Sequence, residues 1–300
     1  MPEGGPKLLL IDGNNMCHRV YWTHQGLSYK GKSTGVLYGF FRQLVHLHKE
    51  FPGYFRIVAW DGGYARRLEE SKKAVEAGVI PSTYKENRKD KTPEEMEDVE
   101  AIHEQMDQLR DMLGMVKCVQ VKLNGIEADD IINTYADYAA RWKGEAVVVS
   151  SDKDFYQVLK PGVKVYDAMK GETWTDERFG KEFGFEPALW VDVGAIMGDD
   201  GDNIHGVEGW GPVTTCKYVR EMGGLDAVIE SVRAKGKRTK KEEVLLDNVL
   251  RMRLARSLKQ MDMVPNLPRP RSVPKDQKAL ETFFVENGFV SLMKEAWRLV

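Results

Sequence analysis

The chain has 300 residues, 42% of them hydrophobic, enough to bury one large core or two modest ones. Its formal net charge is −2, so no general excess of basic residues points to a nucleic-acid partner, and the placement of the acids has to carry the reading. No apolar run is long enough to cross a membrane, Met1 to Lys7 lacks the build of a signal peptide, and Cys17, Cys118 and Cys216 have neither a zinc spacing nor a disulfide framework; a soluble, cytoplasmic protein with no membrane partner is expected.

Lys7 to Ile11 reads as a strand buried on both faces, ended abruptly by Asp12-Gly-Asn-Asn15. Val36, Phe40, Leu44 and Leu47 have helical spacing. Phe55 to Trp60 is a second strand, and it too ends in an acid followed by glycines, Asp61-Gly-Gly63. A charged helix is expected over Tyr64 to Glu76. The basic run Tyr84-Lys-Glu-Asn-Arg-Lys-Asp-Lys91 follows, and on a helix Tyr84, Lys85 and Arg88 would share one face. Thr92-Pro93-Glu94-Glu95 is a helix start with a capping box, and the helix it opens ends at Gly114.

Met115 to Val121 is a third strand, and Asn124-Gly-Ile-Glu-Ala-Asp-Asp130 opens a helix to about Trp142. Ala146 to Ser150 is the clearest buried strand, followed at once by Ser151-Asp-Lys-Asp-Phe155. Val163 to Tyr166 and Glu172 to Trp174 add a further strand or hairpin. Strands alternating with helices imply an α/β fold, a twisted and mostly parallel sheet flanked by helices, with any ligand beyond the carboxyl ends of the strands. Asp12, Asp61, Glu127, Asp152 and Asp154 all come just after predicted strands. Each alone reads equally as a turn residue, but recurrence after four strands gathers them at one edge.

From Gly198 the chain reads Gly-Asp-Asp-Gly-Asp-Asn-Ile-His-Gly-Val-Glu-Gly-Trp-Gly-Pro. Asp199, Asp200 and Asp202 are close enough to raise one another's pKa unless a cation holds them ionised. The glycines at 206, 209 and 211 let the backbone approach a ligand, and the helix that follows offers unpaired N–H groups to phosphate. Further on, Arg233 to Lys241 carries only positive charge, as either a solvated loop or a grip on a polyanion. Glu242 to Lys259 has one amphipathic period, prolines at 265, 268, 270 and 274 make a connector, and Lys278 to Leu299 closes the chain with two short helices.

Carboxylates without histidine or thiolate partners suit Mg²⁺ or Mn²⁺ rather than zinc, and there are more of them than one ion can use. Two ions about 4 Å apart activate a water and stabilise the leaving oxygen of a phosphodiester. Neither a Gly-x-x-x-x-Gly-Lys-Ser/Thr loop nor a Gly-x-Ser-x-Gly elbow is present, which argues against a nucleotide triphosphatase and a serine hydrolase.

The motifs Ile11-Asp-Gly-Asn-Asn15, Trp60-Asp-Gly-Gly63, Tyr84-Lys85 with Arg88, Gly125-Ile-Glu-Ala-Asp-Asp130, Ser151-Asp-Lys-Asp-Phe155 and Gly198-Asp-Asp-Gly-Asp-Asn-Ile204 occur in an order that resembles the flap endonucleases and 5′-3′ exonucleases, including the 5′-nuclease domain of bacterial DNA polymerase I and its phage relatives. The resemblance implies a nuclease domain over residues 1–190 with a helical arch at about 64–104, and a helix-three-turn-helix DNA-binding region with closing helices over 191–300. It places Asp12, Asp61, Glu127, Asp129, Asp130, Asp152, Asp154, Asp199 and Asp202 around two ions, with Lys85 and Arg88 joining Asp12, Asp61 and Asp152 in catalysis. It gives DNA contacts to Tyr84, Lys85 and Arg88 and to the hairpin residues Gly206, Val207, Gly209, Trp210 and Gly211, where a K⁺ ion is also implied. The reading of the basic run adds Lys235, Lys237 and Arg238 to the DNA contacts. The implied activity is hydrolysis of DNA with a 5′ single-stranded end or flap beside a duplex, by a monomer. The alternatives are a ribonuclease of the smaller PIN-like fold and a non-catalytic DNA-junction binder.

Overall fold

The structure, a computed structural model, describes residues 5–271, 276–296 and 299; Met1 to Gly4 and Pro274 of the expected connector lie outside them. The chain runs β1 (Lys7–Asp12), α1 (Gly13–Thr23), a small hairpin of β2 (Ser28–Tyr29) and β3 (Lys32–Ser33), α2 (Gly35–Glu50), β4 (Phe55–Trp60), α3 (Ala65–Glu76), α4 (Pro93–Leu113), β5 (Cys118–Lys122), α5 (Ala128–Arg141), β6 (Glu145–Val149), β7 (Val163–Asp167) and β8 (Glu172–Trp174). The remainder is helical: α6 (Asp176–Phe183), α7 (Trp190–Met197), α8 (Pro212–Met222), α9 (Leu225–Ala234), α10 (Lys240–Asp247), α11 (Val249–Lys259), α12 (Gln277–Glu286) and α13 (Val290–Ala296).

The main sheet has the order β5-β4-β1-β6-β7-β8, parallel except where β8 returns antiparallel to β7. Alternate residues of its central strands serve two cores. Leu8, Leu10, Ile57, Ala59 and Val148 face one side with α5, α7 and α8 to α11, and Leu9, Ile11, Val58, Trp60 and Val149 face the other with α1, α2, α4, α12 and α13. Burial on both faces explains the uninterrupted apolar runs of the sequence. It also leaves the strand ends as the places where polar residues can emerge together.

The register aligns those ends. Asp12 pairs with Ala59, Ile11 with Val149 and Trp60 with Lys122, so Asp12, Asp61 and the Ser150-Ser151-Asp152 turn leave the sheet on one side. Gly62 fixes the next connection: its N–H donates to the Ile126 carbonyl and its own carbonyl accepts from Gly125, at 2.8 and 2.7 Å. A Cβ at Gly62 would lie 1.8 Å from the Leu123 carbonyl oxygen, so only glycine allows the Asp61 turn to sit against the loop that carries Glu127.

Two expectations are corrected. The helical period over Glu242 to Lys259 is broken at Asn248 into α10 and α11, each with its own start. The basic run after Tyr84 is not a helix with a shared cationic face but a short 3₁₀ turn, Glu86–Lys89, preceded by Lys85 in the left-handed region at φ 56°. Several like charges at helical spacing repel, and the segment instead bonds to the Asp199–Asn203 turn: Lys85 N–H to the Asp202 carbonyl at 3.0 Å and the Asn203 side chain to the Thr83 carbonyl at 2.7 Å.

Candidate metal centre

Asp12 ends β1 and caps α1, accepting from the Asn15 N–H at 3.0 Å and the Ser150 hydroxyl at 3.2 Å. Asp61 is held by the Ala128 N–H at 2.9 Å, while its own N–H donates to the Asn14 side chain at 3.0 Å. Asp152 caps the turn that follows β6, accepting from Asp154 N–H at 2.8 Å. Among the described residues, none of these three carboxylates has a cationic side chain as an ion-pair partner. Burial first, then the charges of Asp61 and Asp152, push the Asp12 carboxyl up to about 7, against the hydrogen bonds from Asn15 and Ser150.

The surrounding acids are paired. Buried Arg67, from α3, binds Glu127 at 2.5 Å and grips Asp130 with two bonds of 2.8 Å, and its nearest approach to half-buried Asp129 is 4.0 Å. Carboxylate oxygens of Glu127, Asp129 and Asp130 lie within 4.8 Å of one another, a spacing that a metal ion can use. Lys85 is buried too, bonded to Glu127 and 3.6 Å from Asp202, and Arg88 reaches Asp202 at 2.9 Å. Lys259 binds Asp154 at 2.7 Å and Asp199 at 2.8 Å. Burial works against ionisation of Asp199, yet Lys259 and the N–H groups of Asp202 and Gly201 hold it below the usual carboxylate range. Asp200 stays exposed, its carbonyl accepting from Asn87.

Arg67 and Lys259 were not among the residues singled out from the sequence. Arg67 sits beside Arg66 in a helix already dense in charge, and Lys259 ends a helix where a cation is ordinary.

Tyr84 is buried, its phenol donating to Asp202 at 2.8 Å and its ring meeting Tyr64 edge-on at 5.5 Å. It holds the basic segment down on the acids and presents no face for a base to stack on. The Gly206 to Gly211 stretch is an irregular turn leading into α8. Val207 is buried with its N–H on the Ile196 carbonyl, and Trp210 packs edge-on to Tyr218 with its indole N–H on the Lys241 carbonyl. Gly209 takes φ 80°, and Gly211 stands at the start of α8 with no side-chain cap, leaving backbone N–H groups outward. A Cβ at Gly206 would lie 1.9 Å from the Met197 carbonyl oxygen, which is how this turn closes on the Asp199 turn. In the basic run Lys235 is bonded to buried Glu242, and Arg238 donates to the Val232 and Arg233 carbonyls at the end of α9. Lys237 is exposed.

The family model described as 5′-3′ exonuclease, N-terminal resolvase-like domain, matches residues 7–184, and the one described as 5′-3′ exonuclease, C-terminal SAM fold, matches residues 185–274. The chain belongs to the 5′-3′ exonuclease family. The chain is 29% identical to the thermostable DNA polymerase I of Thermus filiformis over 298 residues, covering 98% of this chain and 34% of that polymerase. It is 29% identical to the 5′-3′ exonuclease of Aquifex aeolicus over 243 residues, covering 80% of this chain and 78% of the relative. The chain therefore spans about a third of the length of the polymerase relatives it matches. A solved structure of T5 5′-exonuclease with bound zinc ions superimposes with a TM-score of 0.71 at 22% identity, covering 84% of this chain and 89% of that one, which shows a shared fold. Within this exonuclease fold the pairs Lys259–Asp154, Lys85–Asp202 and Arg88–Asp202 join the resolvase-like region to the helical SAM fold. No helix among the described residues is long and apolar enough to cross a membrane.

Proposed function

We propose that this exonuclease-family chain is a structure-specific 5′ nuclease that hydrolyses DNA phosphodiesters near single-strand/duplex junctions, as exonuclease and flap endonuclease. The observation that carries the reading is the set of carboxylates without an ion-pair partner, Asp12, Asp61 and Asp152, with Asp202, which Lys85 and Arg88 reach, close enough to act on Asp152. A carboxyl pushed up to about 7 by burial first, and then by the charges of Asp61 and Asp152, suits a cation that the protein does not itself supply. All-oxygen donors fit Mg²⁺ or Mn²⁺, with Glu127, Asp129, Asp130, Asp154, Asp199 and Asp202 completing the two-ion set. Two bound ions supply a water activated for in-line attack and charge for the leaving oxygen.

The chain's own groups do the rest. Lys85 and Arg88 hold positive charge over the acids, where a scissile phosphate gains charge in the transition state. Asn14, Asn15 and Ser150 hold Asp61, the Ser151 turn and Asp12 in fixed orientations. The outward N–H groups before α8, with Lys237, fit a duplex backbone and carry no base readout; a K⁺ ion at the Gly206 to Gly211 turn belongs to the same proposal. Three free cysteines suit a reducing cytoplasm, and a monomer is sufficient because one chain carries both the acids and the cations.

The test is cleavage of a labelled 5′-flap duplex beside single-stranded RNA, with Mg²⁺ and with chelator. Mg²⁺-dependent cutting near the junction is expected. Preferential cutting of unstructured RNA would support the PIN-like alternative, and junction binding without cutting would leave a DNA-binding protein.

A further inference from the structure

Lys259 belongs to none of the acidic motifs, yet it is the cation of two of them. Its side chain is 5% exposed, with Nζ 2.7 Å from Asp154 Oδ2 and 2.8 Å from Asp199 Oδ2. The framework around it is specific. α11 packs on α7, where Gly194 leaves the room that the lysine stem fills: a Cβ at that position would lie 2.5 Å from Lys259 Cε and 2.8 Å from Cδ. Gln157, in the turn that carries Asp154, donates to the Lys259 carbonyl at 3.1 Å and accepts from the Met261 N–H at 3.0 Å, so the lysine backbone is tied to its carboxylate partner's own turn. The ammonium is therefore set by packed elements on two sides and is not a surface chain that happens to reach an acid.

A divalent ion placed on Asp154 and Asp199 has to share them with this ammonium or expel it. Expulsion would move a charge out of a slot that otherwise satisfies it, and a buried charge without its partner is strongly unfavourable. No such competitor faces Asp12 or Asp61. Resting on the two-ion reading above and deepening it, we propose that Lys259 is a resident cation and positioning residue of the Asp154–Asp199 pair. A divalent ion enters this pair only by displacing the ammonium, so the two ions load unequally, tightly at Asp12 and Asp61 and weakly at Asp154 and Asp199.

The experiment is Mn²⁺ titration of the full chain without DNA, followed by electron paramagnetic resonance, for the wild type, Lys259→Met and Gly194→Ala. Two unequal classes of bound Mn²⁺ are expected in the wild type. Lys259→Met should tighten the weaker class by about tenfold or more and leave the tighter class unchanged. Gly194→Ala keeps the lysine but crowds its stem, so it should tighten the weaker class in the same direction if Lys259→Met proves too unstable to titrate. Urea melts in chelator add the second readout: Lys259→Met should be destabilised without metal and recover with Mn²⁺, whereas a lysine of structural importance alone would lose stability with no change in Mn²⁺ affinity. An unchanged weaker class in both variants overturns the proposal. Asp12→Asn separates it from the two-ion reading, because survival of the tight class in that variant defeats the assignment of the first ion and leaves the Lys259 comparison to be judged on the weaker class.

Discussion

The acids at the end of the sheet form two groups that share a residue type and differ in how their charge is balanced. Asp12, Asp61 and Asp152 emerge directly from strands or their first turn and receive only N–H and hydroxyl donors. Glu127, Asp130, Asp154, Asp199 and Asp202 meet Arg67, Lys85, Arg88 and Lys259. Among the described residues no carboxylate of the first group has an ion-pair partner, although the charge of Lys259 acts on Asp152 from beyond pairing distance. The second group folds with its counter-charge in place, so it ties α3, the Glu86–Lys89 turn and α11 to the sheet before any metal is bound. On the function proposed above, one cluster of carboxylates serves both chemistry and assembly, and the division can be tested by breaking each half.

The largest effect is expected in the unpaired group. Asp12→Asn and Asp152→Asn should each lower single-turnover flap cleavage in Mg²⁺ by about a thousandfold or more, several kcal/mol of transition-state stabilisation. Asp12→Asn should also leave the metal-free chain as stable as the wild type or more so, because it removes a charge that burial disfavours. Undiminished cutting, or a large loss of metal-free stability, would move Asp12 into the paired group.

Arg67→Met tests the other half. It strands Asp130 in a buried place and leaves Glu127 with Lys85 alone, and the loss of one partner from such a pair costs about 3–5 kcal/mol. Urea denaturation in chelator measures it directly. A loss under about 1 kcal/mol would show that water reaches these acids and that the pairing is incidental.

Lys85 links the two halves, since it pairs with Glu127 and lies 3.6 Å from Asp202, whose charge acts on Asp152. Lys85→Ala should lower the single-turnover rate by about a hundredfold, the scale of losing one preorganised charge donor, with a smaller change in flap affinity. A rate defect wholly explained by affinity would reduce Lys85 to a binding and pairing residue.

Much of this was legible in the sequence because it follows from the chain's order. Apolar runs ending in Asp12, Asp61 and the Ser151-Asp152 turn locate the strand ends, and a parallel sheet brings those ends to one edge whatever the rest of the chain does. The counter-charges were not legible, because pairing is a property of three dimensions: Arg67 reaches Glu127 sixty residues away, and Lys259 reaches Asp154 across 105. The basic run at Tyr84 was misread for a related reason. Its own spacing suggests a helix face, but its hydrogen bonds go to the Asp199–Asn203 turn, and Tyr84 is buried there with its phenol anchored on Asp202. Lys235 and Arg238 show the same ambiguity, since a positive run reads alike whether its charges wait for a phosphate or already hold a helix end.

The smallest effect sharpens the rule that a paired acid acts through stability. Glu242, buried in the C-terminal helices, accepts from Lys235, from the Thr239 N–H at 2.9 Å and from the Tyr218 hydroxyl at 2.9 Å. Lys235 first, then the Thr239 N–H, hold its carboxyl down to about 2, against the effect of burial. A carboxyl depressed in the folded state binds its proton more readily when unfolded. Its contribution to stability is therefore full above the ordinary value of 4.5 and is lost as pH falls towards 2. Glu242→Gln should cost about 2 kcal/mol near neutral pH, the scale of hydrogen bonds to a charged group, and the gap to the wild type should narrow steadily in acid. Urea melts of both chains across that range measure the gap. A gap that is constant with pH would mean that shape and neutral hydrogen bonding, not charge pairing, fix this junction, and the rule would then be confined to the acids at the sheet edge.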